Sequence, residues 1–296
     1  MPTHSAHTFD YYEPVGYYQR GPIEDRVATQ LGTAMYVSEP RPPPEKATPC
    51  ENKVQWITPG YAGWPVGELM YFTVRARAES IRLILHYAGL PYRLRNVSFA
   101  EWGDLKPTVP GGCLPAFTPD EDGEQFSETI DIAKYVAELS GKPDLLGDAG
   151  AEKVFAVTVS GPIPDMNPLL NISPKDECKS KGPALAAQVI DVLKGVDAEL
   201  KKHDGPFFGG KSPNYGDFGV WAAVDQLLKL DAGALDKLGA GWKAQHAAVA
   251  ALKPIKAYLK CRPAAGSGKL GMPGSVMHDE AVDPPPEQPR NYETRE

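Results

Sequence analysis

Four cysteines, six histidines and one Gly-Gly-Lys-Ser run are the parts of this 296-residue chain whose chemistry spacing alone can test. Cys50, Cys113, Cys178 and Cys261 lie far apart, with no CxxC pair. That pattern suits neither a zinc site nor a disulfide framework and favours a reducing compartment. His4, His7, His86, His203, His246 and His278 show no metal-ligand spacing, so no metal is expected. Gly209-Gly210-Lys211-Ser212 lacks the upstream glycine of a phosphate loop and follows no strand. His86 falls on a helix, where a satisfied interface residue is the ordinary reading. Lys+Arg 31 against Asp+Glu 38 gives a net charge of -7. This argues against nucleic acid as a partner, since such proteins carry a basic domain or stripe. No apolar stretch approaches the ~20 residues of a spanning helix, and the first twenty residues lack a secretory signal pattern. The expected location is cytoplasmic.

The elements that must position any site fall into two groups. Glu68–Thr73 reads as a short strand. Ala78–Ala88 reads as a helix, with Ile81, Ile84, Leu85 and Ala88 on one face and Gly89 and Pro91 as its stop. Tyr92–Val97 is a second strand and Phe99–Lys106 a short helix. Pro115–Thr118 and Glu124–Ser127 flank an Asp/Gly turn as a hairpin. Thr129–Ser140 is helical, ending at Gly141. The order β-α-β-α-β-β-α predicts a small α/β layer with one parallel crossover. Beyond about residue 150 the helical period dominates. Lys181–His203, Asn214–Leu230 and Trp242–Leu259 read as three helices, the second opened by an Asn214/Asp217 capping box.

Proline marks the ends. Ten prolines fall in residues 1–66 and six in 263–296, out of 30. Runs such as Pro42-Pro43-Pro44 and Pro284-Pro285-Pro286 favour extended polyproline conformations. The expected domains are an aromatic- and proline-rich arm at 1–66, an α/β domain at 67–142, a helical domain at 149–262 and a tail at 263–296. The arm carries Tyr11, Tyr12, Tyr17, Tyr18, Tyr36, Trp56, Tyr61 and Trp64. Disordered segments are normally poor in aromatics, so the arm is expected to pack on its own core or on a partner.

Tyr71-Phe72-Thr73-Val74-Arg75-Ala76-Arg77-Ala78-Glu79-Ser80-Ile81-Arg82 resembles the first strand and helix of the glutathione transferases. The resemblance is to the sigma class, which includes glutathione-dependent prostaglandin D synthase. Ala88-Gly89-Leu90-Pro91-Tyr92, Trp102 with Lys106, Leu114-Pro115, Glu128-Thr129 and Asn214-Tyr215-Gly216-Asp217-Phe218 continue it over about residues 67–262. It implies a thioredoxin-like α/β domain followed by an all-α helical domain. It also implies glutathione as co-substrate and a hydrophobic electrophile as second substrate. By resemblance, Tyr71 and Arg77 are catalytic. A free thiol has a pKa of roughly 8.5, and a donor at the sulfur lowers it. Tyr71 would supply that donor and Arg77 a positive potential. Leu114, held by a cis bond to Pro115, would pair its backbone with the cysteinyl unit. Thr129 would hold the γ-glutamyl carboxylate at a helix N-terminus, and Glu128 its ammonium. Trp102 and Lys106 would contact the glycyl carboxylate.

Three positions depart from the family. Ala76 stands where glycine is common and would be strained if φ must be positive. Cys113 replaces a lysine or glutamine that touches the glycyl end. Gly161-Pro162-Ile163-Pro164 should break the long helix that forms much of the family's dimer interface, weakening the dimer. In the sigma class an acidic residue of that helix can help hold glutathione across the dimer; the sequence offers no clear match, Asp165 being a candidate. The sequence thus supports an enzyme that conjugates or isomerises a hydrophobic electrophile. The alternative is a catalytically reduced transferase fold serving as a structural subunit of a cytoskeletal or ciliary assembly, joined through residues 1–66 and 263–296.

Overall fold

The computed structural model describes residues 54–56, 65–119, 123–262 and 272–277. Most of the arm and tail, and the packing expected of the arm, lie outside the described residues. Strands β1 (Val54–Trp56), β2 (Gly67–Phe72), β3 (Arg93–Val97), β4 (Ala116–Pro119) and β5 (Phe126–Ser127) form one sheet in the order β1-β3-β2-β4-β5. Only β2 and β3 run parallel, as a β-α-β crossover requires, and the other pairings are antiparallel. The expected hairpin is β4–β5. The backbone of β1 pairs with β3 and extends the sheet upstream of residue 67, an addition the sequence reading lacks.

The described helices of six or more residues are α1 (Ala78–Ala88), α2 (Phe99–Leu105), α3 (Thr129–Leu139), α4 (Ala149–Thr158), α5 (Met166–Asn171), α6 (Lys175–Lys194), α7 (Tyr215–Leu230), α8 (Ala240–Ala251) and α9 (Lys253–Cys261). In α1, Ile81, Ile84 and Leu85 are fully buried, and Gly89 ends the helix at φ 76. Each such side chain contributes about 1.5–3 kcal/mol by leaving water. Helix α1 also buries Glu79, Arg82 and His86, because α7 and α9 cover the face away from α3. Helix α2 starts at a capping box in which the Ser98 hydroxyl accepts from Glu101 N–H and the Glu101 carboxylate accepts from Ser98 N–H. The Asn214/Asp217 box of α7 is present as expected.

The long helix is broken where expected: α4 stops at Thr158, a turn spans 159–165, and α5 resumes at Met166. The turn drives Ile163 into the helical core beside Met166. Two other helices differ from the reading. The helix placed at Lys181–His203 begins at Lys175 and ends at Lys194, with a separate turn at Asp197–Leu200. Pro183 sits inside it. The Lys179 carbonyl that Pro183 cannot serve is on an exposed residue, where water can replace the lost donor. The helix placed at Trp242–Leu259 is two helices. Leu252 takes an extended ψ of 129, and Pro254 follows in the first turn of α9. Proline lacks the N–H that a continuous helix would need there.

Residues 272–277 return to the helical domain. Met272 N–H donates to Asn171 O at 2.7 Å, and Lys175 N–H to Gly274 O at 3.2 Å. Ser275 and Met277 are buried there.

Candidate active site

One end of the sheet collects the residues singled out by sequence. Tyr71 lies at the C-terminal end of β2. The register Met70↔Ala116 brings Leu114-Pro115, just before β4, alongside it. Ala116↔Ser127 then places Glu128 and Thr129, just after β5, at the same end. Phe72↔Val97 ends β3 there too, immediately before α2 and its Trp102. Phe72 stacks on Phe99 at 4.7 Å and meets Trp102 edge-on at 5.6 Å, which fixes α2 against the end of β2. The Leu114–Pro115 peptide bond is cis.

Tyr71 is buried, and its hydroxyl accepts from the Arg77 backbone N–H at 3.2 Å. Burial pushes the phenol above its ordinary pKa, while the Arg77 hydrogen bond and the charges of Arg77 and Arg82 pull the other way. The phenol therefore keeps its proton at neutral pH. Its oxygen takes one bond from Arg77, leaving the O–H to donate outward.

The connecting turn is tightly held. Val74 N–H donates to Phe72 O at 2.7 Å and Glu79 N–H to Ala76 O at 3.2 Å. Ala76 has φ 35, a positive value that is costly for alanine. Such a residue costs about 1–3 kcal/mol and persists only when its surroundings over-determine it. Arg82 supplies much of that determination. Its Nη1 donates to Val74 O at 3.1 Å and Arg75 O at 3.3 Å, and its guanidinium stands 5.8 Å from the Tyr71 ring centre. Sequence reasoning missed Arg82. The signal available was the Glu79/Arg82 pair, three residues apart on the polar side of α1.

Glu128 is the second non-glycine at positive φ, with φ 79 and ψ 115, at the entry to α3. Its carboxylate accepts from Cys113 Sγ at 3.8 Å, so the departing cysteine faces the acidic member of the site. Thr129 is buried at the N-terminus of α3. Arg77 and Lys106 are exposed, and Trp102 is half-buried. Lys106 lays its stem beside Gly112, whose added Cβ would be 3.5 Å from Lys106 Cε. Exposed cations beside a helix N-terminus suit a ligand carrying carboxylates. Asp165 lies exposed before α5, in a different domain from these groups.

The other titratable candidates are structural. Burial holds His86 down at about 3, with its ring stacked on Tyr258 at 4.3 Å. Gly209 N–H donates to Asp217, so the Gly-Gly-Lys-Ser backbone helps cap α7. No group of three metal-ligating side chains occurs among the described residues. None of the described helices is long and apolar enough to cross a membrane.

Comparison with known proteins follows the same layout. The family described as "Glutathione S-transferase, N-terminal domain" matches residues 75–144, and "Glutathione S-transferase, C-terminal domain" matches 168–262. Hematopoietic prostaglandin D synthase of Gallus gallus is 31% identical over 202 residues, covering 67% of this chain and 98% of that protein. The glutathione S-transferase class-mu 28 kDa isozyme of Schistosoma japonicum is 29% identical over 171 residues, 55% of this chain and 82% of that one. Among solved structures, rat hPGDS complexed with a quinoline superposes with a TM-score of 0.54 at 27% identity, covering 67% of this chain and 98% of that one. The transferase from Ascaris lumbricoides gives a TM-score of 0.55 at 23% identity, over 67% and 98%.

Proposed function

The chain belongs to the glutathione S-transferase family, and from that premise we propose that it binds glutathione and joins its sulfur to a hydrophobic electrophile, or isomerises one. The observation that carries this reading is the grouping of Tyr71, Leu114-Pro115, Glu128 and Thr129 at one end of the sheet, with the exposed Arg77 donating its backbone N–H to the Tyr71 hydroxyl. Glutathione offers two carboxylates, an ammonium and a thiol. Thr129 and the α3 N-terminus take the γ-glutamyl carboxylate, and Glu128 takes the ammonium. Leu114, next to Pro115, pairs its backbone with the cysteinyl unit. Trp102 and Lys106 take the glycyl carboxylate.

The Tyr71 O–H then donates to the sulfur. A donor to the charged form lowers the thiol pKa, so more thiolate is present at neutral pH. Arg77 adds positive potential at the same place. The thiolate attacks the electrophilic carbon, forming the S–C bond as a leaving group departs or a proton is taken up. Where that adduct collapses again with a shifted bond, the net reaction is an isomerisation. The free thiols of Cys113 and Cys178 support a reducing, cytoplasmic setting. Calorimetric titration of the full chain with glutathione, followed by turnover of a generic aryl halide, tests the reading. Saturable binding with glutathione-dependent turnover is expected. The absence of both binding and turnover would overturn it.

A further inference from the structure

The polar side of α1 is buried under the helical domain and carries a continuous ion-pair chain. Glu79 and Arg82 have side chains 2% and 3% exposed and pair at 3.3 Å. Tyr258 of α9 donates its hydroxyl to Glu79 Oε2 at 2.9 Å. Arg262, just after α9, donates Nη1 to Glu79 Oε1 at 3.1 Å and Nη2 to Asp225 Oδ1 of α7 at 3.0 Å. Arg75, in the turn after β2, reaches the other Asp225 oxygen at 4.0 Å. His86 stacks on Tyr258 and Tyr92 stands edge-on to His86, completing the groups around it.

A buried ion pair is a poor device for stability, because desolvation offsets much of the attraction and an apolar replacement often serves as well. What this chain does supply is geometry. Its inner end, Arg82, donates to the carbonyls of Val74 and Arg75, next to the strained Ala76. The residue after Ala76 is Arg77, whose N–H donates to the Tyr71 hydroxyl. Glu79 is the side chain that accepts from the same Arg82 Nη1 that serves those carbonyls. Without Arg262 and Tyr258, Glu79 keeps Arg82 and the charge of Arg75.

We propose that Asp225, Arg262, Glu79 and Arg82 form a positioning chain that ties the end of α9 to the 74–77 turn and thereby sets the Tyr71 hydroxyl and Arg77 for the reaction. None of the four touches the reacting atoms, so they are positioning residues. The inference rests on the transferase reading for its catalytic consequence, though not for its structural one.

The test uses the full chain with Asp225→Asn, Arg262→Met and Arg262→Lys. Two quantities are read: hydrogen exchange at the Arg77 amide, and kcat and KM for glutathione as a function of pH. In Asp225→Asn and Arg262→Met, exchange at Arg77 should rise about tenfold, the scale of losing one hydrogen bond. The acid limb of kcat should move up by about one pH unit, with KM for glutathione changed less than kcat. Arg262→Lys, which keeps the charge, should recover most of both. A role in stability alone would lower the melting temperature without moving the pH profile. Should Arg262→Met fail to fold, Asp225→Asn carries the same reading. Unchanged Arg77 exchange in a folded variant overturns the proposal even if the wild type shows no transferase activity. Faster exchange with an unmoved pH profile overturns its catalytic half. Loss of wild-type glutathione binding, with the exchange effect intact, overturns the transferase reading instead.

Discussion

Gly219→Ala and Gly103→Ala make the same chemical change in two helices and should shift stability in opposite directions. A glycine inside a helix costs about 1 kcal/mol relative to alanine. At Gly103 in α2, a Cβ would meet nothing within 4 Å. Alanine there should stabilise the chain by about 0.5–1 kcal/mol. At Gly219 in α7, the Cβ would stand 2.7 Å from Phe155 Cδ2, 3.1 Å from Phe155 Cε2 and 3.1 Å from Thr158 Oγ1. Carbon atoms normally rest about 3.5–4.0 Å apart. The Phe155 ring is fully buried and packs on Tyr215 at 5.5 Å between ring centres, so it cannot swing aside. Helices α4 and α7 must separate instead. Overpacking of this kind costs about 1–3 kcal/mol, which leaves a net loss of up to about 2 kcal/mol after the helix gain. Urea melts of the two variants and the wild type read both signs. A Gly219→Ala chain at least as stable as wild type would refute the packing argument.

Thr129→Ala should weaken glutathione binding by about 1 kcal/mol, roughly fivefold, by calorimetry, while leaving the melting temperature nearly unchanged. Equal affinities would remove Thr129 from the binding site. His86 titrates at about 3 in the folded chain against an ordinary 6.5, because burial disfavours its charged form. A depressed folded pKa means stability is present above the unfolded value and is lost as pH falls from there. At about pH 5 the loss is ~2 kcal/mol. His86→Leu should remove that part of the acid slope in urea melts near neutrality and near pH 5. An undiminished slope would assign it to other groups.

Much of the α/β layer was legible because its signals are local. Apolar spacing marked α1, Gly89 marked its end, and paired short strands around an Asp/Gly turn marked β4 and β5. The Gly161-Pro162-Ile163-Pro164 break was equally plain, since proline acts through its own covalent structure. What was hidden depended on neighbours distant in sequence. The apolar face of α1 was readable, but nothing local says that Glu79, Arg82 and His86 are buried as well. That follows from α7 and α9 covering them, more than a hundred residues later in the chain. Arg82 was invisible as a site residue for the same reason. Strand β1 was missed because three residues in a proline-rich arm carry no alternation long enough to read. The boundaries of α6 and of α8/α9 slipped for the opposite cause. The reading ran α8 and α9 together across Pro254 and started α6 late, near Pro183, whereas the fold breaks at the first and tolerates the second. The candidate site positions came from resemblance, while their gathering at one end of the sheet became visible only once the registers of β2, β4 and β5 were in place.

The central claim is that the Tyr71 hydroxyl stabilises the thiolate of bound glutathione. Titrating the ultraviolet absorbance of that thiolate, in the wild type and in Tyr71→Phe, tests it most directly. Losing one preorganised donor is worth about 2.7 kcal/mol or more where charge develops, or roughly two pKa units and a hundredfold in turnover at the least. The account predicts that Tyr71→Phe still binds glutathione but raises the pKa of the bound thiol by about two units. A bound thiol whose pKa is the same in both proteins would contradict it.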